Sequence, residues 1–365
     1  MKISRQLKLD FQKVALITTA YVGINLFFFF FNYALLNSPY SKGPTPQFIA
    51  INYFYTNVFI GVIAGLLGGV LLVTINSQVF RKRSFKFAML STLVSYVSIF
   101  VLVTLVATFV NTAVENGWQN TTYSQFKTTF GYVMDATLFT YFILWGGITL
   151  FTLFLLQVND KFGPGILFKF LAGNYHHPQK EERIFMFLDM RSSTTIAEKI
   201  GNEQYFNLLK DLFSDITDTI LNKEGEIYQY VGDEIVISWP IHRGARHANC
   251  LHCFIEIKEN LKALGQHYQQ KYGLVPELKA GIHYGLVMAG EIGVIKKDII
   301  YSGDVLNTTA RIQEQCNPYN VDILISKETF ELLLGTEAFE LLPLGSIELR
   351  GKENKIDLNT VKVLT

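Results

Sequence analysis

Apolar positions fall into two regimes along the chain. Between residues 14 and 156 they form four runs, at roughly 14–36, 53–75, 87–110 and 132–156. Each is about 20 residues or longer, enough to cross ~30 Å of hydrocarbon as a helix. The first run includes Phe27–Phe31, and the second carries Gly61, Gly65, Gly68 and Gly69. Small residues let helix backbones approach closely, so the second run predicts a helix packed inside a bundle. Beyond residue 182 the apolar segments shorten and change period. Ile184–Leu188 predicts a buried strand. Phe206, Leu209, Phe213, Ile216 and Ile220 recur at spacings of three and four, which predicts an amphipathic helix over 203–222 that stops at Gly225. Segments 226–231 and 234–239 flank Gly232-Asp233, a hairpin signal. A helix over 244–271 follows, then strands at 278–284 and 298–301, a helix over 303–315 and a strand at 321–326. The remaining tail is strand-rich, with Gly345 and Gly351 as punctuation. The order β-α-β-β-α-β predicts an α+β, ferredoxin-like domain, an antiparallel sheet with helices on one face. The chain is therefore multi-domain. Residues 1–158 form a four-helix transmembrane domain, 159–182 a cytoplasmic linker, and 183–365 the α+β domain.

Charge sharpens this division. The formal net charge of +1 over 365 residues leaves no general basic field, so a nucleic acid polymer is not an expected partner. Cut at residue 158, the chain separates into ten Lys/Arg against three Asp/Glu, then 22 against 28. The halves thus carry +7 and −6. Lys2, Arg5, Lys8 and Lys13 precede the first run, and Arg81, Lys82, Arg83 and Lys86 lie between the second and third. The other connections hold only Lys42, then Glu115 and Lys127. Basic connections stay on the cytoplasmic side, so the N-terminus and residues 159–365 are expected in the cytoplasm of a multi-pass protein of the cell membrane. The first run is too long for a cleaved signal peptide and more spans follow it. Asp135, near the start of the fourth run, reads as a solvated interfacial carboxylate. The runs show no repeated ion ligands and no His cluster, so no membrane ligand is legible. That also disfavours a transporter or channel.

Cysteine usage is sparse and odd in number, as in a reducing compartment. His247, Cys250 and Cys253 recur every three residues, a helix packing face in preference to a metal site that lacks a fourth ligand. His176-His177 reads as part of a polar linker after Gly163-Pro164-Gly165. Richer chemistry lies at element ends. Asp189 closes the first strand and Met190-Arg191-Ser192-Ser193-Thr194 opens a helix, with Ser192 and Ser193 as N-cap candidates. A carboxylate beside a helix N-terminus suits a cation bound to phosphates. Asp233, at the hairpin tip, is expected beside Asp189. Asn307 and Arg311, four apart, share one helix face, where an amide and a guanidinium can orient a ribose and neutralise a phosphoryl group.

Five stretches in this order resemble the class III nucleotidyl cyclase catalytic domain. They are FMFLDMRSSTT (185–195), YQYVGDEIVISW (228–239), KAGIHYGLVMAGEIG (279–293), YSGDVLNTTARIQ (301–313) and LRGK (349–352). The resemblance covers about 182–360, and the first half resembles only the general plan of membrane-anchored bacterial cyclases. It implies two Mg²⁺ or Mn²⁺ ions per active site, bound by Asp189, Asp233 and the Met190 carbonyl. It makes Asn307 and Arg311 the transition-state pair and Lys352 a phosphate contact. Ser192, Ser193 and Thr194 face phosphate where the family usually has Gly-Phe. It further implies a homodimer with shared sites, each taking its metal aspartates from one protomer and its Asn/Arg pair from the other. Gln229 and Ile300 stand at the base-reading positions, where adenylate-forming members carry Lys and Asp or Thr, and guanylate-forming members Glu and Cys. A Gln amide can pair with adenine N1 and N6, which favours ATP as substrate and an adenylate cyclase as the expected activity. The alternatives are a guanylate cyclase and an inactive cyclase-fold signalling module.

Overall fold

A computed structural model describes residues 5–36, 50–75, 85–116, 122–133 and 136–162, and from 173 onward all but 174, 176, 296, 349–354 and 365. The chain divides into two compact units, Leu7–Pro164 and Gly165–Thr365.

The first unit holds α1 (Arg5–Leu36), α2 (Ala50–Thr74), α3 (Phe85–Asn116), α4 (Tyr123–Val133) and α5 (Ala136–Phe162). Four of these contain stretches long and apolar enough to cross a membrane, Leu7–Ala34, Phe54–Thr74, Met89–Val110 and Leu138–Asn159. They match the four sequence runs. The second-run glycines work as their size suggests: a Cβ on Gly65 would lie 2.7 Å from Thr18 Cα, and one on Gly61 3.0 Å from Val22 Cα. The α1 and α2 backbones therefore touch, running antiparallel. Around that contact Ile17, Tyr21, Ala64, Leu72, Val73, Leu153 and Leu156 form the buried core. Large apolar side chains such as Phe27, Phe30, Leu93, Leu102 and Phe151 point outward, as helices in hydrocarbon require. Helix α4 was not foreseen, being short and polar. Its start carries a reciprocal cap, with Thr122 N–H donating to Gln125 Oε1 at 2.8 Å. Asp135 and the basic residues Arg81, Lys82 and Arg83 lie outside the described residues.

The second unit contains β1 (Gln179–Met190), α6 (Ser193–Ile200), α7 (Asn202–Asn222), β2 (Glu226–Val231), β3 (Glu234–Pro240) and the single turn α8 (Ile241–Gly244). It continues with α9 (Asn249–Ala263), α10 (Gly265–Tyr272), β4 (Leu278–Ile292), β5 (Asp298–Ser302), α11 (Asp304–Glu314), β6 (Ile323–Ser326), α12 (Lys327–Glu331), β7 (Phe339–Ile347) and β8 (Ile356–Val363). The strands form one eight-stranded sheet in the order β2-β3-β1-β4-β6-β8-β7, with β5 paired to the far part of β4. Each neighbouring pair among β2, β3, β1 and β4 is antiparallel, but β6 joins β4 in parallel. The sheet is therefore mixed and larger than the expected six-element antiparallel layer.

Its helices also occupy both faces, not one. Side chains alternate along β1. Ile184, Met186, Leu188 and Met190 pack with Leu208, Leu212 and Phe254 of α7 and α9. Phe185 and Phe187 turn the other way, towards Val236, Val287 and Val305 of α11. Helix α11 lies so close to β4 that a Cβ on Gly281 would sit 2.5 Å from the Gln313 backbone nitrogen. The expected helix over 244–271 is two, broken at Leu264. Cys250, Cys253 and Cys316 are free and buried, so the first two do form a packing face, and burial pushes the Cys250 thiol up to about 12.

Candidate active site

Strand register brings the acidic residues together. The β1–β4 ladder pairs Asp189 with Lys279 and Met190 with Leu278. The β1–β3 ladder ends at Leu188 and Ile235, so Glu234, the first residue of β3, and Asp233, on the turn before it, follow beside Asp189. Gly232 takes a φ of 63°, which the tight turn needs. Asp233 lies close enough to Asp189 to feel its charge, with Ser193 at the start of α6 beside them. Burial, then the Asp189 carboxylate, pushes the Asp233 carboxyl above its ordinary value. Glu234 is raised further, to about 7, by burial and then by Asp189 and Asp233. Negative charge is thus concentrated where three acidic residues meet one strand end.

Two side chains that sequence reasoning passed over hold Asp189 in place. Lys279 Nζ lies 3.2 Å from Asp189 Oδ2, and Gln313 Nε2 donates to the same oxygen at 3.0 Å. Lys279 did leave a signal, a cation within an otherwise buried strand segment. Gln313 and Glu234 left none, since each acquires its role from tertiary packing.

Ser192 is the N-cap residue of α6, but its side chain makes no capping bond. It adopts the left-handed conformation instead, with φ 55° and ψ 31°. Glycine enters that region freely, and the family's usual glycine stands at this position. Thr194 is exposed on the first turn of α6. Met190 has a buried side chain, and its residue ends β1.

Asn307 is exposed and Arg311 half-buried on α11. Gln313, which reaches Asp189, follows Arg311 by two residues, about 200° around the helix. The Asn307–Arg311 face therefore points away from the Asp189–Asp233 pair of its own chain. Gln229 is exposed on β2, beside a bulge between Ile227 and Gln229. Ile300 pairs with Gly290 on β5. It is Tyr228, not Gln229, that reaches β5, its hydroxyl accepting from the Tyr301 N–H at 3.2 Å. Lys352 lies outside the described residues.

Among the described residues no group of three or more His, Cys, Asp or Glu is arranged to hold a metal ion. The donor set nevertheless fits a hard divalent cation. Mg²⁺ commonly takes one or two carboxylates and completes its shell with water and substrate phosphates, and Asp189, Asp233 and Glu234 together outnumber the one cation, Lys279, that pairs with Asp189.

Comparison with known proteins agrees with this geometry. Residues 176–361 match the family model "Adenylate and Guanylate cyclase catalytic domain". Adenylate cyclase 2 of Rhizobium meliloti (strain 1021) is 37% identical over 204 residues, covering 56% of this chain and 56% of that protein. Guanylate cyclase 2G of Mus musculus is 27% identical over 189 residues, covering 50% of this chain and 16% of that protein. The chain therefore spans about half or less of the length of these relatives. The solved structure of a bacterial light-regulated adenylyl cyclase superposes with a TM-score of 0.52 at 22% identity, over 62% of this chain and 65% of its own, a likeness of fold. With the family model matched across the whole strand-and-helix unit, the chain belongs to the class III adenylate and guanylate cyclase catalytic-domain family, preceded by four helices fit to span a membrane.

Proposed function

We propose that the protein is a membrane-anchored adenylate cyclase that converts ATP to 3′,5′-cyclic AMP and pyrophosphate as a homodimer, with its N-terminus and catalytic unit in the cytoplasm. The observation that carries this reading is the strand register that sets Asp189, at the end of β1, beside Asp233 on the β2–β3 turn, next to the start of α6. That pair, with the Met190 carbonyl, would hold two Mg²⁺ or Mn²⁺ ions. When bound, such ions acidify the ribose 3′-hydroxyl and neutralise the triphosphate.

The chain's own side chains do the rest. Lys279 and Gln313 fix the Asp189 carboxylate. Ser192, Ser193 and Thr194 offer hydroxyls and helix N–H groups to phosphate oxygens. Lys352 binds the departing pyrophosphate. Asn307 orients the ribose, and Arg311 neutralises charge on the α-phosphoryl group as the 3′-oxygen attacks in line. Because Asn307 and Arg311 face away from their own aspartates, the complete site needs a second protomer. Gln229 and Ile300 read the base.

A guanylate cyclase is the second reading, favoured by the absence of the family's adenine-reading Lys at Gln229. Full-length protein supplied with Mg²⁺ or Mn²⁺ and with ATP and GTP in parallel separates the two. Cyclic AMP as the main product supports the proposal and cyclic GTP-derived product, cyclic GMP, the second reading. No cyclic nucleotide with either metal leaves a non-catalytic cyclase fold.

A further inference from the structure

The four apolar helices of the first unit line a partly open cavity of about 330 Å³, within the range of small-molecule sites. The lining on α2 extends from Thr56 to Leu72, sixteen residue rises or about 24 Å along the helix. The cavity is thus long and narrow. Among the described residues its lining includes no Asp, Glu, Lys, Arg or His.

Its walls are mostly apolar, with three asparagines towards one end and the hydroxyls of Thr92, Ser95, Tyr96, Thr104, Thr108 and Thr149 spaced along the rest. The antiparallel contact sets Gly61 of α2 against Val22 and Asn25 of α1, and Phe54 against Phe29. That register gathers three lining asparagines, Asn25, Asn32 and Asn57, at one end of the α1–α2 pair. Along the middle the walls include Ile60, Ala64, Ile99, Phe100 and Val103. Trp145, whose ring lies 5.2 Å from that of Tyr21, faces the same space.

We propose that this cavity is a binding site for an uncharged, single-chain amphiphile. Its hydroxyl or carbonyl head would meet the asparagine amides, and its alkyl chain would lie along the apolar middle. An ionised head would be buried without a counter-charge, at a cost that neutral amides do not offset. The proposal is independent of the nucleotide chemistry of the second unit.

The test uses full-length protein in phosphatidylcholine nanodiscs and 12-bromododecan-1-ol, whose bromine quenches tryptophan emission on contact. The wild type should show a saturable quenching component above the linear background from probe dissolved in lipid. Trp145→Phe should remove that component and so assign it to the cavity. Gly68→Leu should abolish it by filling the space. A Cβ at Gly68 meets only Tyr21 Cε1, at an ordinary 3.8 Å, so the first atom of the new side chain is accommodated without a clash. Ala107→Phe fills the cavity from α3 and serves as the independent second variant. Asn57→Leu should weaken binding about tenfold, the effect of one lost hydrogen bond in a buried site. Ionised 12-bromododecanoate should quench only linearly.

Linear quenching of wild type overturns the proposal. So does a saturable component that survives both filling variants, or equal saturable binding of the carboxylate. The source of the natural ligand is read separately. A neutral amphiphile extracted in stoichiometric amount from wild type but not from Gly68→Leu assigns it to the bilayer. Saturable binding without such an extract assigns it to a diffusible molecule.

Discussion

Ser192 shows how one backbone angle shapes this site. Its φ of 55° turns the chain from β1 into α6, whose first residue is Ser193. A left-handed conformation costs a non-glycine residue roughly 1–2 kcal/mol, of which glycine's greater unfolded-state entropy returns about half. Ser192→Gly should therefore stabilise the catalytic unit by about 0.5–1 kcal/mol, seen as a midpoint of thermal unfolding raised by roughly 1–4 °C. A lowered midpoint would mean that the serine hydroxyl contributes a bond that outweighs the strain. A second residue-scale prediction concerns Asp322. Burial alone would raise its carboxyl, but the Lys258 and Arg191 contacts outweigh burial and hold it below the ordinary carboxylate value. A depressed folded value means that the stabilisation is present above the ordinary value, about 4, and is lost as pH falls through the folded one. The gap in unfolding midpoint between wild type and Asp322→Asn should accordingly be largest near neutrality and close in acid. Because Asp322 is 42% exposed, the gap should be small and should shrink in salt.

At the scale of elements, the closest contact in the catalytic unit is α11 on β4. With a Cβ at position 281 only 2.5 Å from the Gln313 nitrogen, Gly281→Ala must push the helix outward. Overpacking of this kind costs about 1–3 kcal/mol. Since α11 carries Asn307, Arg311 and Gln313 together, cyclase activity should fall with stability, and an unchanged turnover would sever α11 placement from catalysis. The same helix marks where the sequence stops being readable. A repeat of three and four points to α7, Gly232-Asp233 between two apolar segments to the β2–β3 hairpin, and unbroken apolar length to the four long helices. The pattern could not show that α11 crosses to the opposite face of the sheet from α7 and α9, which depends on Phe185 and Phe187 alternating with Ile184 and Met186 on one strand. Nor could it find Gln313 or Glu234 beside Asp189, because a polar residue in a helix or turn carries no sign of what packs across from it. In the membrane unit the apolar lengths were legible, but the convergence of Asn25, Asn32 and Asn57 was not. It follows from the antiparallel register of α1 and α2, which the close glycine contacts set.

For the whole molecule, the proposed function makes one chain the bearer of two incomplete halves of a site. Asp189 and Asp233 converge at the end of β1, while Asn307 and Arg311 lie on the outward face of α11. If two protomers complete each other, the halves must be separable by mutation. Asp189→Ala should lose the cation site and Arg311→Ala the charge that neutralises the phosphoryl group, each costing roughly 10³-fold or more in turnover. The decisive measurement is cyclic nucleotide formation by the two full-length variants, assayed separately and then after co-expression. The account predicts near-inactive homodimers and recovered activity in the mixture, where one of the two interfacial sites is assembled from intact halves. A mixture no more active than its components would contradict a catalytic site shared between two copies of this chain.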